Sequence, residues 1–258
     1  MGENASDAMS FIGQVVQWFL DSAHWQGDGG ILHRTVEHLT MSGASVLTAA
    51  VIALPVGIAI GHFGKGGNLA INISNIGRAI PSFALLVLAA QLFGIAAAAE
   101  FVGFGAVPAF VALVALAIPP MVTNSYVGMR EVDPDVREAA RGMGMRERAV
   151  LLRVELPIAL PLIMAGIRTS AVNVVATATL AAVVGWGGLG RFIVDGLGLQ
   201  DYPMLYAGAV MVAVLSLIVE FTLAGVQRLS TPAGLRPSKT NQKEEPVGTA
   251  RDIAVVAA

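Results

Sequence analysis

The chain has 258 residues, of which 55% are hydrophobic and only 13% are charged, and its mean hydropathy is +0.70. Soluble domains carry about 25% charged residues, so this composition excludes an ordinary soluble globule and predicts a membrane protein. The net charge of -2 gives no indication of a nucleic-acid partner, and the absence of cysteine excludes disulfides, thiolate catalysis and cysteine-ligated metals.

The first 38 residues are predicted to form an external segment that lies on the membrane. A helix over residues 8–25 is too short and too polar to cross a bilayer, and its apolar side chains share one face: Phe11, Val15, Trp18 and Phe19. The first basic residue is Arg34, so we expect no basic region of the kind that begins a secretory signal peptide. The sequence therefore predicts an amphipathic helix at the interface.

A membrane-spanning helix needs about 20 predominantly apolar residues. Five windows meet or approach that length: 39–61, 79–97, 101–123, 161–184 and 202–225. Prolines within them are compatible with spanning helices, because neighbouring helices can satisfy the freed backbone groups. We expect an all-α integral membrane fold with about five transmembrane helices in a domain over 39–228. A disordered cytoplasmic tail, polar and rich in proline and lysine, is expected over 229–258.

Basic residues predict the orientation of these windows, because lysine and arginine accumulate in cytoplasmic loops. Lys65 and Arg78 lie between the first and second windows, and six arginines lie between the third and fourth. The loops between the second and third windows and between the fourth and fifth have no such excess. We therefore predict that the N-terminus is outside, and that the C-terminus and the loop over 130–157 are cytoplasmic.

The most charged segment of the chain lies within that loop. Asp133 is expected to cap a helix whose first residue is Pro134, and Gly144 suits a left-handed helix end. A narrow apolar stripe follows the helix: Val136, Ala139, Ala140 and Met143. The charged side chains are expected to face elsewhere: Arg137, Glu138 and Arg141. A helix of about ten residues is unstable alone in water, so we expect it to dock on a partner, with a solvated loop as the alternative.

The same residues resemble the E-A-A-x3-G-x9-I-x-L-P loop of permease subunits of binding-protein-dependent ABC importers. The one departure from that pattern is Val154, which stands in place of isoleucine. In that family the loop is the coupling helix, which seats in a groove of the cytoplasmic ATPase. The resemblance thus implies that coupling to the ATPase involves Glu138, Ala139, Ala140, Arg141, Gly144, Leu156 and Pro157.

The resemblance also implies a type I ABC importer permease fold in the bacterial cell membrane, and a set of partners. These are cytoplasmic ATPase subunits that bind ATP and Mg, an extracytoplasmic substrate-binding protein, and a second permease subunit, identical or homologous. The chain itself has no G-x-x-x-x-G-K-[ST] motif to hold ATP. We therefore expect a transport subunit that is not an enzyme and binds no cofactor.

Further runs resemble the osmoprotectant branch of these permeases, which moves glycine betaine, carnitine and choline. They lie between residues 39 and 226: 78–85, 132–134, 138–145, 154–157, 165–170 and 185–190. The segment 119–125 departs from that branch, in which a basic residue and Asn-Thr are frequent. A methionine or other amino-acid importer is therefore the alternative. A rival of a different class is an ATP-independent channel or an intramembrane enzyme, although no paired carboxylates or Ser/His arrangement are evident.

Candidate pathway or gate residues are spread over three regions: Pro81, Ser82, Asn173, Trp186, Gly187 and Gly188. The run 185–190 satisfies G-x-G-x-x-G, but a membrane-length run precedes it in place of a strand, which excludes nucleotide binding. It is either an outer gate or a site of close helix packing. Asn173 is expected to bond across helices, with a polar path as the alternative. Trp186 is most simply an interface anchor, and a cation–π site for a quaternary ammonium is the other interpretation.

Two further sets of polar residues have simpler interpretations. Arg168 lies inside the fourth window, about 10 Å from the start of that helix, and its side chain is expected to extend to the inner interface. The four histidines do not have the spacing of a metal site: His24, His33, His38 and His62.

Overall fold

The computed structural model describes residues 3–68, 72, 75, 77, 79–93 and 105–231, with the backbone alone at 3–9 and 93. Within these ranges every regular element is a helix. The α-helices are α1 (Glu3–Leu20), α2 (Ile31–Phe63), α3 (Ser82–Phe93), α4 (Ala106–Arg130), α5 (Pro134–Gly142), α6 (Glu147–Val150), α7 (Leu156–Thr177), α8 (Gly190–Leu199) and α9 (Tyr202–Ser230). Shorter 3-10 or π turns are Ser22–Trp25, Leu151–Glu155 and Ala178–Val184.

Four helical stretches of the described chain are long and apolar enough to cross a membrane: Ile31–Phe63, Ala106–Arg130, Glu147–Val184 and Tyr202–Ser230. They confirm four of the five predicted windows. The window 79–97 is described only as far as residue 93, where α3 is an apolar helix of 12 residues. Residues 94–97 of that window, and 232–258 of the predicted tail, lie outside the described residues.

Helix α2 begins at Ile31, so the predicted boundary between residues 38 and 39 falls inside it. The charged side chains of its first two turns satisfy one another, because Glu37 lies 2.8 Å from Arg34 and 3.4 Å from His33. Local ion pairing therefore lets the helix extend beyond its apolar window.

Helix α4 occupies the centre of the fold and packs on α2 through a stripe of small residues. The stripe recurs every four residues and is buried along its length: Ser45, Ala49, Ala53, Gly57 and Gly61. A Cβ atom on Gly57 would lie 2.8 Å from the Cβ of Ser125, and one on Gly61 would lie 2.4 Å from the Cβ of Met129. The two helices are therefore parallel and approach closely, which is how small residues pack spanning helices in lipid.

The other side of α4 packs on α7, which runs in the opposite direction. A Cβ on Gly166 of α7 would lie 2.8 Å from the Cβ of Asn124, and one on Gly128 of α4 would lie 3.0 Å from the Ala159 carbonyl oxygen. Nearer the start of α4, the Ser170 hydroxyl donates to the Ala117 carbonyl oxygen at 2.8 Å. These directions place the loop 185–190 and α5 at opposite ends of the molecule. Which end is cytoplasmic stays a prediction.

The predicted N-terminal helix is present as α1, and its apolar face packs on the protein. Phe11 meets Tyr206 of α9 edge to face, with ring centroids 5.0 Å apart, and Trp18 meets Phe192 of α8 at 5.5 Å. Apolar side chains on the adjoining face remain exposed: Ile12, Val16 and Leu20. The position of α1 relative to a membrane stays a prediction.

Candidate functional site

Local capping determines where the loop helix α5 begins and ends. The Asp133 carboxylate accepts the Asp135 N–H at 2.8 Å, and Pro134 is the first helical residue. Gly144 has a φ of +83°, and the Met145 N–H donates to the Ala140 carbonyl, which closes the helix end. The predicted start and left-handed end of α5 are therefore confirmed.

The predicted apolar stripe of α5 is divided between two faces. Ala140 is 2% exposed and packs on the chain, whereas Val136 is 42% exposed, Met143 is 77% exposed and Ala139 is also exposed. Glu138 is exposed next to them. The residues Val136, Ala139 and Met143 thus form an unpartnered apolar face, which we call the docking face. Such a face on so short a helix is expected to be stabilised by a partner.

The inward face of α5 carries an arginine that the sequence did not reveal as buried. Arg137 Nε lies 3.1 Å from Oε1 of Glu155, which is 0% exposed, and His62 Nδ1 donates to the other carboxylate oxygen at 2.5 Å. The Arg137 guanidinium also donates to the Met129 carbonyl oxygen. The Arg137 Nε–H is not directed at the Glu155 carboxylate, so the contact between these two side chains is an ion pair rather than a hydrogen bond. We call these three side chains the buried ion cluster.

A π turn directs Glu155 into the protein. The Leu156 N–H donates to the carbonyl of Leu151, five residues back, and the widened turn spans Leu151–Glu155. Pro157 follows directly; its ring has no N–H and would clash with a carbonyl four residues earlier in a regular helix. The Leu156–Pro157 pair therefore explains the wide turn, and turns of this kind occur often at functional sites.

A second, exposed ion pair joins α5 to α6. Arg141 donates to both carboxylate oxygens of Glu147, at 2.9 and 3.2 Å. This hydrogen bonding raises the pKa of Arg141 above its ordinary value. Because both groups are exposed, salt screens the pair, and it contributes less than the buried ion cluster to holding α5.

The predicted pathway residues lie in two separate places. Ser82 lines a narrow crevice with Thr177, and Asn173 lines a groove of about 210 Å³ that Thr177 also borders. The groove lies between α4 and α7, beside Pro119 and Pro120 of α4. Ser82 and Asn173 thus border neighbouring cavities, whereas Trp186, Gly187 and Gly188 lie at one end of the bundle. Pro81 is exposed and lines neither cavity.

The glycine-rich run 185–190 is packed closely against the start of α2. The Gly188 N–H donates to the Glu37 carboxylate at 2.8 Å, and a Cβ on Gly187 would lie 2.2 Å from that same carboxylate. His38 is buried beside the run, and its Nε2 donates to the Val175 carbonyl at 2.8 Å. This geometry supports the packing interpretation, and a gating role stays a prediction. Trp186 is half-buried and packs against the central core.

Arg168 pairs with two side chains of α9. Its guanidinium lies 3.4 Å from the Glu220 carboxylate and donates to the Gln227 side-chain oxygen at 2.9 Å. Gln227 in turn donates to the Pro161 carbonyl at 2.9 Å. These partners fit the rule that a charge in an apolar span pairs with polar groups of neighbouring helices. That the Arg168 side chain extends to the inner interface stays a prediction.

We expect Arg168→Met to weaken the contact between α7 and α9 by about 1 kcal/mol, since charge-assisted hydrogen bonds contribute about 1.5–3 kcal/mol and these side chains are about one-third exposed. Titration with a denaturing detergent measures this free energy of unfolding. The double variant Arg168→Met/Glu220→Met should recover most of the loss, because no charge is left unpaired. Strictly additive effects of the two substitutions would contradict the pairing.

Within the described ranges no group of three histidine, cysteine or acidic side chains is placed to hold a metal ion. His62 and His38 each contact other protein groups, at Glu155 and at the Val175 carbonyl.

Comparisons with known proteins match most of the chain. The model of the family "Binding-protein-dependent transport system inner membrane component" matches residues 53–232. The choline transport system permease protein OpuBB of Bacillus subtilis is 38% identical over 83% of this chain and 95% of its own length. The carnitine transport permease protein OpuCB of Listeria monocytogenes is 36% identical over 87% of this chain and 97% of its own length. The osmoprotectant import permease protein OsmW of Salmonella typhimurium is 33% identical over 84% of this chain and 100% of its own length.

Among solved structures, the chain is similar to an inward-facing conformation of the MetNI methionine ABC transporter. The TM-score is 0.65 at 25% sequence identity, over 78% of this chain and 96% of the other. Together with the helical fold and its apolar spans, these matches show that the chain belongs to the binding-protein-dependent transport system inner membrane components, the permease subunits of ABC importers.

Proposed function

We propose that this permease subunit imports quaternary-amine osmoprotectants such as glycine betaine, carnitine or choline. The observation that carries the proposal is the identity of 33–38% with permeases for choline, carnitine and osmoprotectants, over 83–87% of this chain. As in its family, the chain is a transport subunit, and ATP is hydrolysed by a separate ATPase.

In this proposal α5 is the coupling helix. Its docking face would seat in a groove of a cytoplasmic ATPase subunit, with Ala139 permitting close approach and Glu138 at the edge of the contact. Ala140 packs α5 on the permease, and Gly144 ends the helix. Arg141 joins α5 to α6, and the Leu156–Pro157 pair forms the turn that brings Glu155 to Arg137. The support is the exposure of an apolar face next to a buried polar attachment.

The proposed pathway follows the cavities beside α4. Ser82 and Asn173 would line it, because each borders one of two neighbouring cavities that share Thr177. Trp186, Gly187 and Gly188 would close the outer end, and Pro81 would lie at the entrance to α3. A second permease subunit, identical or homologous, would complete the path. An extracytoplasmic binding protein would deliver the substrate, while ATPase subunits with ATP and Mg act at the cytoplasmic side.

Uptake of radiolabelled substrate tests the proposed substrate class. The chain is expressed with its ATPase and binding protein in a host that lacks its own betaine and choline systems. We expect ATP-dependent uptake of betaine, choline or carnitine, with excess unlabelled compound competing. The same host without this chain is the control. Uptake of methionine with no uptake of any quaternary amine would favour the second candidate, a methionine importer, which the structural similarity to MetNI supports.

A second preparation separates the importer from a channel. Purified permease in vesicles without the ATPase should pass no substrate. Flux through the permease alone would contradict the proposal and favour an ATP-independent channel.

A further inference from the structure

The buried ion cluster lies where α5 attaches to the rest of the permease. Arg137 comes from α5, His62 from the last turn of α2, and Glu155 from the π turn that precedes α7. The Met129 carbonyl that accepts from Arg137 belongs to the end of α4. One guanidinium and one carboxylate therefore connect α5 to the three helices that form the core of the bundle.

Few other contacts of α5 with these helices are buried. Within α5 only Arg137 and Ala140 are buried. The dispersion contacts of one alanine methyl group are weak, so Ala140 contributes little resistance to a displacement of α5. The Arg141–Glu147 pair is exposed and joins α5 to α6, and its one contact with the bundle core among the described residues is a distant one, 3.9 Å from Glu147 to His62. Apart from the covalent connections at its two ends, α5 would thus transmit a displacement to α2, α4 and α7 mainly through Arg137 and its partners.

The cluster is also an inefficient way to stabilise a fold. Removing charges from water carries a large penalty, and well-packed apolar side chains of similar volume are often as stabilising as a buried ion pair. Charge-assisted hydrogen bonds do, however, add geometric specificity, and the cluster has two of them, from Arg137 to the Met129 carbonyl and from His62 to the Glu155 carboxylate. A contact that stabilises the fold little but fixes geometry is suited to an attachment that transmits a displacement without a change in helix register.

We propose that Arg137, Glu155 and His62 form a rigid joint that makes α5 move as one body with the inner ends of α2, α4 and α7. The joint determines how much substrate is imported per ATP hydrolysed. This inference rests on the proposed role of α5 as the helix that docks on the ATPase. Arg137 is the positioning residue, because among the side chains that the structure describes it is the one that contacts both Glu155 and the Met129 carbonyl.

The test uses the complete importer in vesicles and measures substrate imported and ATP hydrolysed in the same sample. Arg137→Met/Glu155→Met removes both charges, so we expect the complex to assemble and to hydrolyse ATP. Import per ATP should nevertheless fall about tenfold, a typical size for the loss of coupling between two sites. The matched control is Glu131→Gln, which removes an exposed charge from the same loop and should leave the ratio unchanged.

Arg137→Lys keeps a positive charge beside Glu155, but a single ammonium does not span two acceptors as a guanidinium does. We expect this variant to assemble and to show a smaller loss of import per ATP than the double variant. If the double variant fails to assemble, the import per ATP of the Arg137→Lys variant tests the joint instead. A normal ratio in Arg137→Lys, or in an assembled double variant, would overturn the joint.

The wild-type importer in the same vesicles tests the underlying function separately. If it shows no ATP-driven import, the proposed function fails and the joint fails with it. If it imports normally and the variants keep its ratio of import to ATP, only the joint is refuted.

Discussion

Replacing Ala139 by arginine is expected to abolish ATP-driven import while the permease itself remains folded. Ala139 lies on the docking face between Val136 and Met143, and it is exposed in the chain alone. A long cation there would prevent close approach to the ATPase and would be buried without a partner. A cost of about 3 kcal/mol, typical of an uncompensated charge in an interface, weakens association roughly 100-fold.

The measurement combines co-purification of the ATPase subunits with substrate uptake. Ala139→Ser is the matched control for size, since it keeps a small side chain and should preserve both readouts. Ser230→Arg is the control for charge, because it adds the same cation at an exposed position at the end of α9. Normal co-purification and uptake by Ala139→Arg would exclude α5 as the docking element.

Stability measurements distinguish this result from misfolding. Exposed substitutions away from special contacts usually change the free energy of unfolding by no more than about 0.5 kcal/mol. We therefore expect the purified Ala139→Arg permease to resist denaturing detergent as well as the wild type. Loss of function with unchanged stability would show that the affected contact lies outside this chain.

The sequence predicted best those features that depend on near neighbours along the chain. The cap at Asp133 and the left-handed Gly144 need only residues within one helical turn, and both are present. The membrane windows depend on composition, and four of them recur as helices in the described residues. Their bounds were less accurate, because ion pairs at the start of α2 lengthen that helix beyond its apolar run.

Contacts between distant residues were not predicted. His62 and Glu155 are 93 positions apart, and no local pattern indicates that they meet. The inward direction of Glu155 depends on the π turn ahead of Pro157, whereas the predicted fourth window begins only at residue 161. The partners of Arg168 on α9 were likewise not predicted, because they are visible only in the folded chain. Tertiary pairing therefore decides the orientation of charged residues in this protein.

One tertiary feature, the packing of α2 on α4, corresponds to a recognisable pattern in the sequence. Small residues recur at every fourth position from Ser45 to Gly61, a spacing that predicts close helix packing in membranes. The glycine run 185–190 is more conspicuous in the sequence, yet it packs an end of the bundle. The stripe on α2 holds the parallel pair α2 and α4, whose ends carry His62 and Met129 of the joint. Packing along that stripe thus positions the attachment of α5.

Gly61→Leu is accordingly expected to prevent the permease from folding. Even the first added carbon would lie 2.4 Å from the Met129 Cβ and 3.1 Å from the Tyr126 carbonyl oxygen. Neither atom can move away without a large free-energy cost, because both lie at or next to the backbone of the central helix α4. Overpacking of this kind costs about 1–3 kcal/mol for small additions, and a full leucine side chain should exceed that range. The expected result is loss of folded, monodisperse protein on size-exclusion chromatography.

Gly43→Leu supplies the control within the same helix, since a Cβ at Gly43 meets no atom within 4 Å and the residue is exposed. It should give wild-type amounts of folded protein. Gly61→Ala should give an intermediate result, folded but with its free energy of unfolding lowered by about 2 kcal/mol. Equal yields from Gly61→Leu and Gly43→Leu would mean that α2 and α4 do not touch at this position. In that case His62 would not be held beside Glu155 by their packing.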